Sequence, residues 1–216
     1  DYAGLCLGAE TAYYDLPGVD EYGLPLKSVD DAEAIRQQAL AAIDADEDAR
    51  FVVGGAGLSG VQVAGELATL AEEEDAADRI EVVVLEQLDS VAPAFHEAFQ
   101  AAIADQLAAR GVEVRTETAV SEATDSTIET RHEPTGTERS IDYDLFVWTG
   151  GIGGAAAMAG DRPIVRSDLR LTDSTFALGD AARVVDADGE AVPASASAAI
   201  RAAPVVAANI TALVGW

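Results

Sequence analysis

The run Val52-Val53-Gly54-Gly55-Ala56-Gly57-Leu58-Ser59-Gly60, residues 52–60, decides the fold of this chain. It contains the pattern GxGxxG, which is weak evidence alone and becomes specific when a strand precedes it and a helix follows. A short apolar strand ends before the glycines, and residues 58–74 repeat apolar side chains at helical spacing. Residues 80–85 are nearly all apolar, as expected of a strand in a parallel sheet covered on both faces. The sequence therefore predicts a strand–turn–helix–strand unit that binds a dinucleotide.

Each glycine of the pattern has a physical task in such a unit. Gly55 permits the tight turn, Gly57 lets the backbone approach a pyrophosphate, and Gly60 lets the helix pack against the strand. Leu58 and Ser59 open the helix, whose N-terminus offers free N–H groups and the positive end of its dipole to the anion. We predict that these five residues bind the cofactor. An ordinary glycine-rich turn is the alternative, and the flanking strand and helix weigh against it.

Glu86 follows the second predicted strand, where a carboxylate can accept hydrogen bonds from both hydroxyls of an adenosine ribose. It lies further from Gly60 than the usual spacing of about 20 residues, and we assign the excess to a longer helix and exit loop over residues 72–79. No arginine follows directly to bind a 2′-phosphate. We therefore predict NADH rather than NADPH. An unspecific charge at a strand end is the alternative.

The rest of the chain continues the α/β pattern. We predict a helix capped by Ser28, an acidic hinge over residues 44–48, a second helix over 94–110 and a strand over 112–114. An antiparallel meander over 119–141, a buried strand over 143–148 and short strands near 164–165 and 176–178 follow. The last predicted element is a helix from residue 194, in which Pro204 either causes a kink or opens a second helix. The predicted fold class is α/β: a Rossmann-like, three-layer dinucleotide-binding domain with a β-meander, flanked by segments of a second domain.

The composition is strongly acidic, with 39 acidic and 13 basic residues and Lys27 as the only lysine. A surface this negative repels phosphate, which excludes nucleic acid as a partner. At molar salt the Debye length falls to about 3 Å, so dense acidic groups repel weakly and stay solvated. We predict a cytoplasmic protein of a salt-loving organism. An ordinary acidic protein is the alternative, although such proteins seldom lose nearly all lysine.

Several site classes are excluded or disfavoured by what the sequence lacks. Cys6 is the only cysteine, which excludes an internal disulfide or redox pair, and its apolar surroundings predict a buried thiol. His96 and His132 have no ligand-like neighbours, so we expect no metal site. No apolar run reaches the ~18 residues of a membrane span. Residues 193–216 are therefore predicted to form a buried helix, with an interfacial helix as the alternative.

Four runs resemble the pyridine nucleotide–disulfide oxidoreductase superfamily. They are GGAGLSGVQVAGEL at residues 54–67, the segment 86–93 that ends in SVAP, FVWTGG at 146–151 and TFALGDAA at 175–182. The resemblance covers nearly the whole chain. The WTGG run and the helical ending are most similar to type II NADH dehydrogenases (NADH:quinone oxidoreductases) of haloarchaeal character.

The resemblance implies a domain plan in which an NADH-binding domain is inserted into an FAD-binding domain. Residues 1–48 would hold the exit strand of the FAD domain and a linker, 49–149 the NADH-binding domain, and 150–216 the returning FAD segment and a C-terminal helix. The family's first GxGxxG, which holds the FAD pyrophosphate, would precede Asp1. We therefore expect a fragment that lacks the N-terminal FAD-binding half. By itself this fragment is expected to bind FAD weakly or not at all and to be inactive.

The resemblance also implies cofactor contacts outside the glycine turn. Gly150 and Gly151 would lie against the nicotinamide half of NADH. Asp180 would bind the ribityl chain of FAD, with the backbone of Gly179 and Ala181 close by. A simple Gly-Asp turn is the alternative for Asp180.

The function that the resemblance implies is hydride transfer from NADH to FAD and onward to quinone or another acceptor. This transfer needs no side-chain acid or base, so we predict no catalytic residue in the chain. For the full-length protein we expect a cytoplasmic location, with peripheral attachment to the inner face of the cell membrane as an option, and the oligomeric state stays open. Gln62 stands where the family often has Glu, and residues 196–201 lack its Ala-Gln-x-x-x-Gln pattern. A ferredoxin reductase-like enzyme, an NADH oxidase and a non-catalytic NADH-binding module are the alternatives.

Overall fold

The chain forms two compact units in the computed structural model, which describes residues 1–45 and 47–215. The first unit comprises Asp1–Glu10 together with the chain from Ile152 onward, and the second comprises Thr11–Gly151. The predicted hinge over residues 44–48 includes residue 46, and the predicted C-terminal helix includes residue 216. These two positions lie outside the described residues.

Strands and helices alternate over residues 49–115, and short strands predominate from there to the C-terminal helix. The strands are β1 (Ala3–Leu5), β2 (Ala9–Thr11), β3 (Ala49–Gly54), β4 (Ile80–Leu85), β5 (Glu113–Arg115), β6 (Thr118–Ala123), β7 (Thr127–His132), β8 (Thr137–Asp142), β9 (Leu145–Trp148), β10 (Ile152–Gly154), β11 (Ile164–Val165), β12 (Thr175–Ala177) and β13 (Arg183–Val184). The helices are α1 (Val19–Tyr22), α2 (Val29–Asp44), α3 (Leu58–Glu73), α4 (Glu97–Ala109) and α5 (Ala196–Val214), with 3₁₀ turns at Ala156–Met158 and Gly179–Ala181.

A four-stranded parallel sheet is the centre of the second unit. Its strand order is β5-β4-β3-β9, and β3 pairs with β4 from Ala49 opposite Ile80 to Gly54 opposite Leu85. Val and Phe dominate these strands, and the side chains of β3 from Phe51 to Val53 are fully buried. Burial of each such side chain contributes about 1.5–3 kcal/mol. The predicted strand–turn–helix–strand unit and its parallel sheet are confirmed.

The sheet is covered on both faces, which confirms the predicted three layers. Side chains alternate along β3, so that Phe51 and Val53 join a core with helices α2, α3 and α4, whereas Val52 joins a core on the opposite face. The antiparallel meander β6-β7-β8 supplies that second core with Ile128 and Ile141. The register between β6 and β7 shifts near residues 120–122, where an irregularity interrupts the pairing.

Helix α2 begins where the sequence predicts, because Ser28 forms a capping box with Asp31. The Ser28 hydroxyl accepts a hydrogen bond from the Asp31 N–H at 3.1 Å, and the Asp31 carboxylate accepts one from the Ser28 N–H at 2.8 Å. Burial raises the pKa of the Asp31 carboxyl, but hydrogen bonds from the backbone N–H groups of Lys27 and Ser28 outweigh it and hold that pKa below its usual value. Helix α2 then packs on the sheet through Ile35, Ala39 and Ile43.

The first unit is built from short paired strands and one long helix. Strand β1 pairs with β12 and β11 with β13, both parallel, while β2 pairs with β10. Phe176, Val165, Leu169 and Leu178 form its core, and Val206 of α5 packs against them. Cys6 is exposed, which corrects the predicted buried thiol. The physical reason is that β1 ends at Leu5, so Cys6 lies beyond the paired residues.

The C-terminal segment differs from two of the sequence predictions. Helix α5 runs continuously through Pro204, so of the two alternatives predicted for this residue a second helix is excluded. A buried helix was predicted, but Val206 is the one buried side chain of this fully described helix, and Ile200 is 71% exposed. The expectation that no segment could span a membrane is corrected as well. By length and composition alone the 19 residues of α5 could cross one.

No cluster of three or more His, Cys, Asp or Glu side chains is placed to hold a metal ion within residues 1–45 and 47–215.

Candidate dinucleotide-binding site

The glycine turn joins the end of β3 to the start of α3. Gly55 has a φ of 96°, in the left-handed region that favours glycine, and its N–H donates to the Leu85 carbonyl of β4 at 2.7 Å. Gly57 is the N-cap residue of α3, and no side chain caps this helix. The first N–H groups of α3, beginning at the exposed Leu58 and Ser59, therefore have no side-chain partner and suit an anion.

Gly60 sets how closely α3 approaches the turn. A Cβ atom at this position would lie 1.8 Å from the Gly55 carbonyl oxygen and 2.7 Å from the Thr149 hydroxyl oxygen. The Thr149 hydroxyl lies 3.0 Å from the carbonyl oxygens of both Gly54 and Gly55 and donates to them. It thereby ties the turn to the end of β9. Thr149 is not among the site residues predicted from the sequence, although its place in the WTGG run is a signal that could have identified it.

The Glu86 carboxylate lies against the glycine turn. Glu86 is only 6% exposed, and it follows the last residue of β4. One carboxylate oxygen accepts the Ala56 N–H at 2.7 Å, and the other accepts the Leu88 N–H at 2.9 Å. These two bonds fix the carboxylate at the carboxyl end of the sheet. Each carboxylate oxygen has a second lone pair that can accept a further hydrogen bond.

A cleft of about 410 Å³ opens beside the turn, and we call it the glycine-turn cleft. It brings together three of the predicted cofactor residues, Gly55, Glu86 and Gly150. Gly57, Leu58, Ser59, Gly60 and Gly151 do not line it. Its complete lining is Tyr14, Leu16, Gly55, Leu85, Glu86, Gln87, Thr118, Ala119, Val120, Arg131, Glu133, Trp148 and Gly150.

Gly150 and Gly151 lie where side chains would collide with aromatic rings. A Cβ atom on Gly150 would lie 2.5 Å from the Trp148 ring, and one on Gly151 would lie 2.0 Å from the Tyr14 hydroxyl oxygen. Trp148 is held in place because its ring N–H donates to the Ala12 carbonyl at 2.8 Å. These two positions therefore require glycine, because the aromatic rings of Trp148 and Tyr14 pack directly on the backbone at the end of β9.

Tyr14 and Arg131 line the glycine-turn cleft and were not predicted from the sequence. Tyr14 has a φ of 55°, and its side chain is 63% exposed. Arg131 projects from the meander and forms an ion pair with Glu133 at 2.9 Å. Neither residue belongs to a motif, and only the folded meander shows that Arg131 reaches the cleft.

Gly179, Asp180 and Ala181 belong to the first unit, where they form a 3₁₀ turn after β12. Gly179 has a φ of 63°, and Ala181 is fully buried. The Arg162 guanidinium donates to the Asp180 carbonyl at 2.7 Å and thereby supports the turn. The contact of these residues with FAD stays a prediction.

The family model described as pyridine nucleotide-disulphide oxidoreductase matches residues 1–203. A demethylphylloquinone reductase from Synechocystis sp. is 32% identical over 98% of this chain and 54% of that protein. A type II NADH:quinone oxidoreductase from Haemophilus influenzae is 31% identical over 75% of this chain and 39% of that protein. The chain thus spans about half the length, or less, of these curated relatives.

The fold is also found in solved structures. The structure of NDH2 from Plasmodium falciparum in complex with NADH superposes with a TM-score of 0.76 at 19% identity, over 86% of this chain and 44% of that one. This likeness confirms the predicted Rossmann-like α/β fold.

Two glycines of α3 provide a matched test of the turn. Gly60→Ala forces the turn to move, so we expect the free energy of unfolding to fall by about 1–3 kcal/mol. Gly65→Ala meets no atom within 4 Å, so it is expected to raise the free energy of unfolding by about 0.5–1 kcal/mol. Urea denaturation of both variants measures these changes. Equal stability of the two variants would contradict the close approach of α3 to the turn.

Proposed function

We propose that this chain, which belongs to the pyridine nucleotide-disulphide oxidoreductase family, is the NADH-binding portion of an FAD-dependent oxidoreductase. NADH binds in the glycine-turn cleft, and the whole protein transfers hydride from NADH to FAD and then electrons to a quinone. The proposal rests on the site's geometry together with the family.

The observation that supports it best is the position of the Glu86 carboxylate. Its hydrogen bond from the Ala56 N–H places it beside the turn that leads into α3. A ribose whose hydroxyls donate to this carboxylate brings the pyrophosphate of the same molecule to the uncapped N-terminus of α3. The carboxylate also repels a 2′-phosphate, which favours NADH over NADPH.

The nicotinamide half of NADH is proposed to lie against Gly150 and Gly151. Strands β3 and β9 are parallel neighbours, and the Gly150 Cα lies 2.7 Å from the position of a Cβ on Gly55. The two glycines leave backbone, rather than side chains, at the end of β9. The chain's role in the chemistry is to bind and orient NADH, since hydride transfer needs no side-chain acid or base.

FAD is proposed to contact the turn Gly179–Ala181. This turn follows β12, which pairs in parallel with β1, and Asp180 is partly exposed there. An acidic side chain at this place can accept hydrogen bonds from hydroxyl groups such as those of a ribityl chain. FAD, when bound, accepts the hydride and passes electrons on. The domain limits at residues 49 and 150 remain part of this proposal, although residues 11–48 cluster with the second unit.

The proposed acceptor is a quinone reached at a membrane surface. The relatives named demethylphylloquinone reductase and NADH:quinone oxidoreductase support the acceptor. The exposed apolar side chains of α5 support attachment to a membrane, because apolar surface is stabilised by leaving water. The acidic composition supports a cytoplasmic location in a salt-loving organism. Peripheral attachment at the inner face of the cell membrane is consistent with both features.

Substitution of Glu86 by Arg tests the proposed ribose contact. Glu86→Arg removes the acceptor of the ribose hydroxyls, and we expect the Kd for NADH to rise by about tenfold or more. Glu72→Arg makes the same change of charge at an exposed position of α3 outside the cleft, and it should leave the Kd unchanged. Fluorescence titration with NADH measures both values. An unaltered affinity in Glu86→Arg would refute the role of Glu86.

The flavin spectrum tests the proposed electron transfer. The full-length protein is expected to absorb at about 450 nm when it carries FAD, and anaerobic addition of NADH should bleach this band. Quinone added afterwards should restore it, with oxygen and a ferredoxin as comparison acceptors. A protein that binds NADH without any change in a flavin band would favour a non-catalytic NADH-binding module instead.

A further inference from the structure

A second cleft, which we call the meander cleft, lies on the β6-β7-β8 sheet within the second unit. Its volume is about 430 Å³. It is lined by Arg115, Thr118, Thr130, His132, Thr135, Thr137, Arg139 and Ile141. Two rows of cross-strand neighbours form its wall: Thr118, His132 and Thr137 in one row, and Thr130 and Arg139 in the next. Directly opposed side chains lie within contact distance of each other, so these polar groups converge.

The charge of the meander cleft is unlike the rest of the protein. Its lining contains two arginines, a histidine and four threonines but no carboxylate. Three other clefts of the described chain each contain two or more carboxylates: the glycine-turn cleft, a groove between α2 and α3, and a cleft at the amino end of the sheet. In a chain with three acidic residues for each basic one, this local reversal favours an anionic ligand.

The two arginines of the cleft have N–H groups that no other described side chain uses. The Arg139 guanidinium makes no hydrogen bond or ion pair with residues 1–45 and 47–215, and its N–H groups are therefore available. Glu113 accepts hydrogen bonds from two nitrogens of Arg115, at 2.7 and 3.2 Å, and leaves Nη1 for a ligand. The hydrogen bond to Glu113 raises the pKa of Arg115, so this group stays charged.

The neutral polar groups of the cleft are ordered by one another. His132 Nδ1 lies 2.9 Å from the Thr135 hydroxyl, which lies 2.8 Å from the Thr137 hydroxyl. This chain of hydrogen bonds fixes the histidine ring. The buried Thr130 hydroxyl donates to the Arg139 carbonyl at 3.0 Å and holds the backbone of that arginine. The histidine ring and the backbone of Arg139 are thus positioned before a ligand arrives, which lowers the entropy that they lose on binding.

We propose that the meander cleft binds a phosphate group, as free phosphate or as a phosphate monoester, separately from the dinucleotide site. A planar guanidinium can donate two parallel hydrogen bonds to phosphate oxygens, and Arg139 offers them without a competing carboxylate. The hydrogen bond between the Thr135 and Thr137 hydroxyls uses one of their two protons, so one hydroxyl of this pair can provide a further donor. The volume exceeds that of one phosphate, so a small organic phosphate ester fits as well.

The meander separates this cleft from the glycine-turn cleft. Successive side chains of β7 point to opposite faces, so Thr130 and His132 line the meander cleft while Arg131 lines the glycine-turn cleft. Thr118 borders both clefts at the edge of the meander.

Calorimetric titration of the protein with inorganic phosphate and with glycerol 3-phosphate, each against chloride at equal ionic strength, tests this proposal. We expect saturable binding, and Arg139→Gln should raise the Kd by roughly tenfold or more. Arg166→Gln is the matched control, because Arg166 is also exposed and its side chain has no hydrogen-bond partner in the described chain. Arg139→Lys retains the charge but loses the paired donors, so an intermediate affinity is expected.

Two comparisons decide the result. Tighter binding of glycerol 3-phosphate than of phosphate identifies an organic ester as the ligand, and equal binding identifies the phosphate group itself. Absence of saturable binding of both compounds would overturn the proposal. So would an equal loss of affinity in Arg139→Gln and Arg166→Gln, or competition between saturating NADH and phosphate.

Discussion

The close approach of Gly60 to the Gly55 carbonyl is the constraint on which the rest of the structure depends. It seats α3 directly on the turn, so that the uncapped helix N-terminus, the end of β4 and the end of β9 meet at one edge of the sheet. The Thr149 hydroxyl and the Glu86 carboxylate then hydrogen-bond to this turn from two neighbouring strands. A methyl group added at residue 60 would push α3 away from the turn and break this arrangement, because a closely packed interior has no free space for the extra atoms.

Local patterns predict the part of the fold that local physics determines. The bounds of β4 and the N-terminus of α2 agree with the predictions, because an apolar run and a capping box are both encoded within a few residues. Burial of a side chain depends on residues that are distant in sequence, and the predictions of burial fail for this reason. Cys6 and most of α5 were predicted to be buried but are exposed. Helix α3 leaves Leu58 exposed at its first position, although it buries Val63 and Leu67 together with Gly60, Ala64, Ala68 and Ala71. The partners of Glu86 within the turn also emerge only from the folded structure.

The meander shows how one sheet can present two chemistries. One row of β7 side chains contributes Arg131 to a cleft that contains two glutamates, and the alternate row contributes His132 to a cleft without carboxylates. Because successive side chains of a strand point to opposite faces of the sheet, these neighbouring residues reach different clefts. We infer that the meander is a binding element in its own right as well as a cover for the sheet.

The central claim is that the buried Glu86 carboxylate selects the dinucleotide. It is tested most directly by the Kd values of NADH and NADPH for the unmodified protein, measured by titration at one ionic strength. We predict that NADH binds more tightly by roughly tenfold or more, because the carboxylate accepts ribose hydroxyls and repels a 2′-phosphate. Equal affinities, or tighter binding of NADPH, would contradict the account.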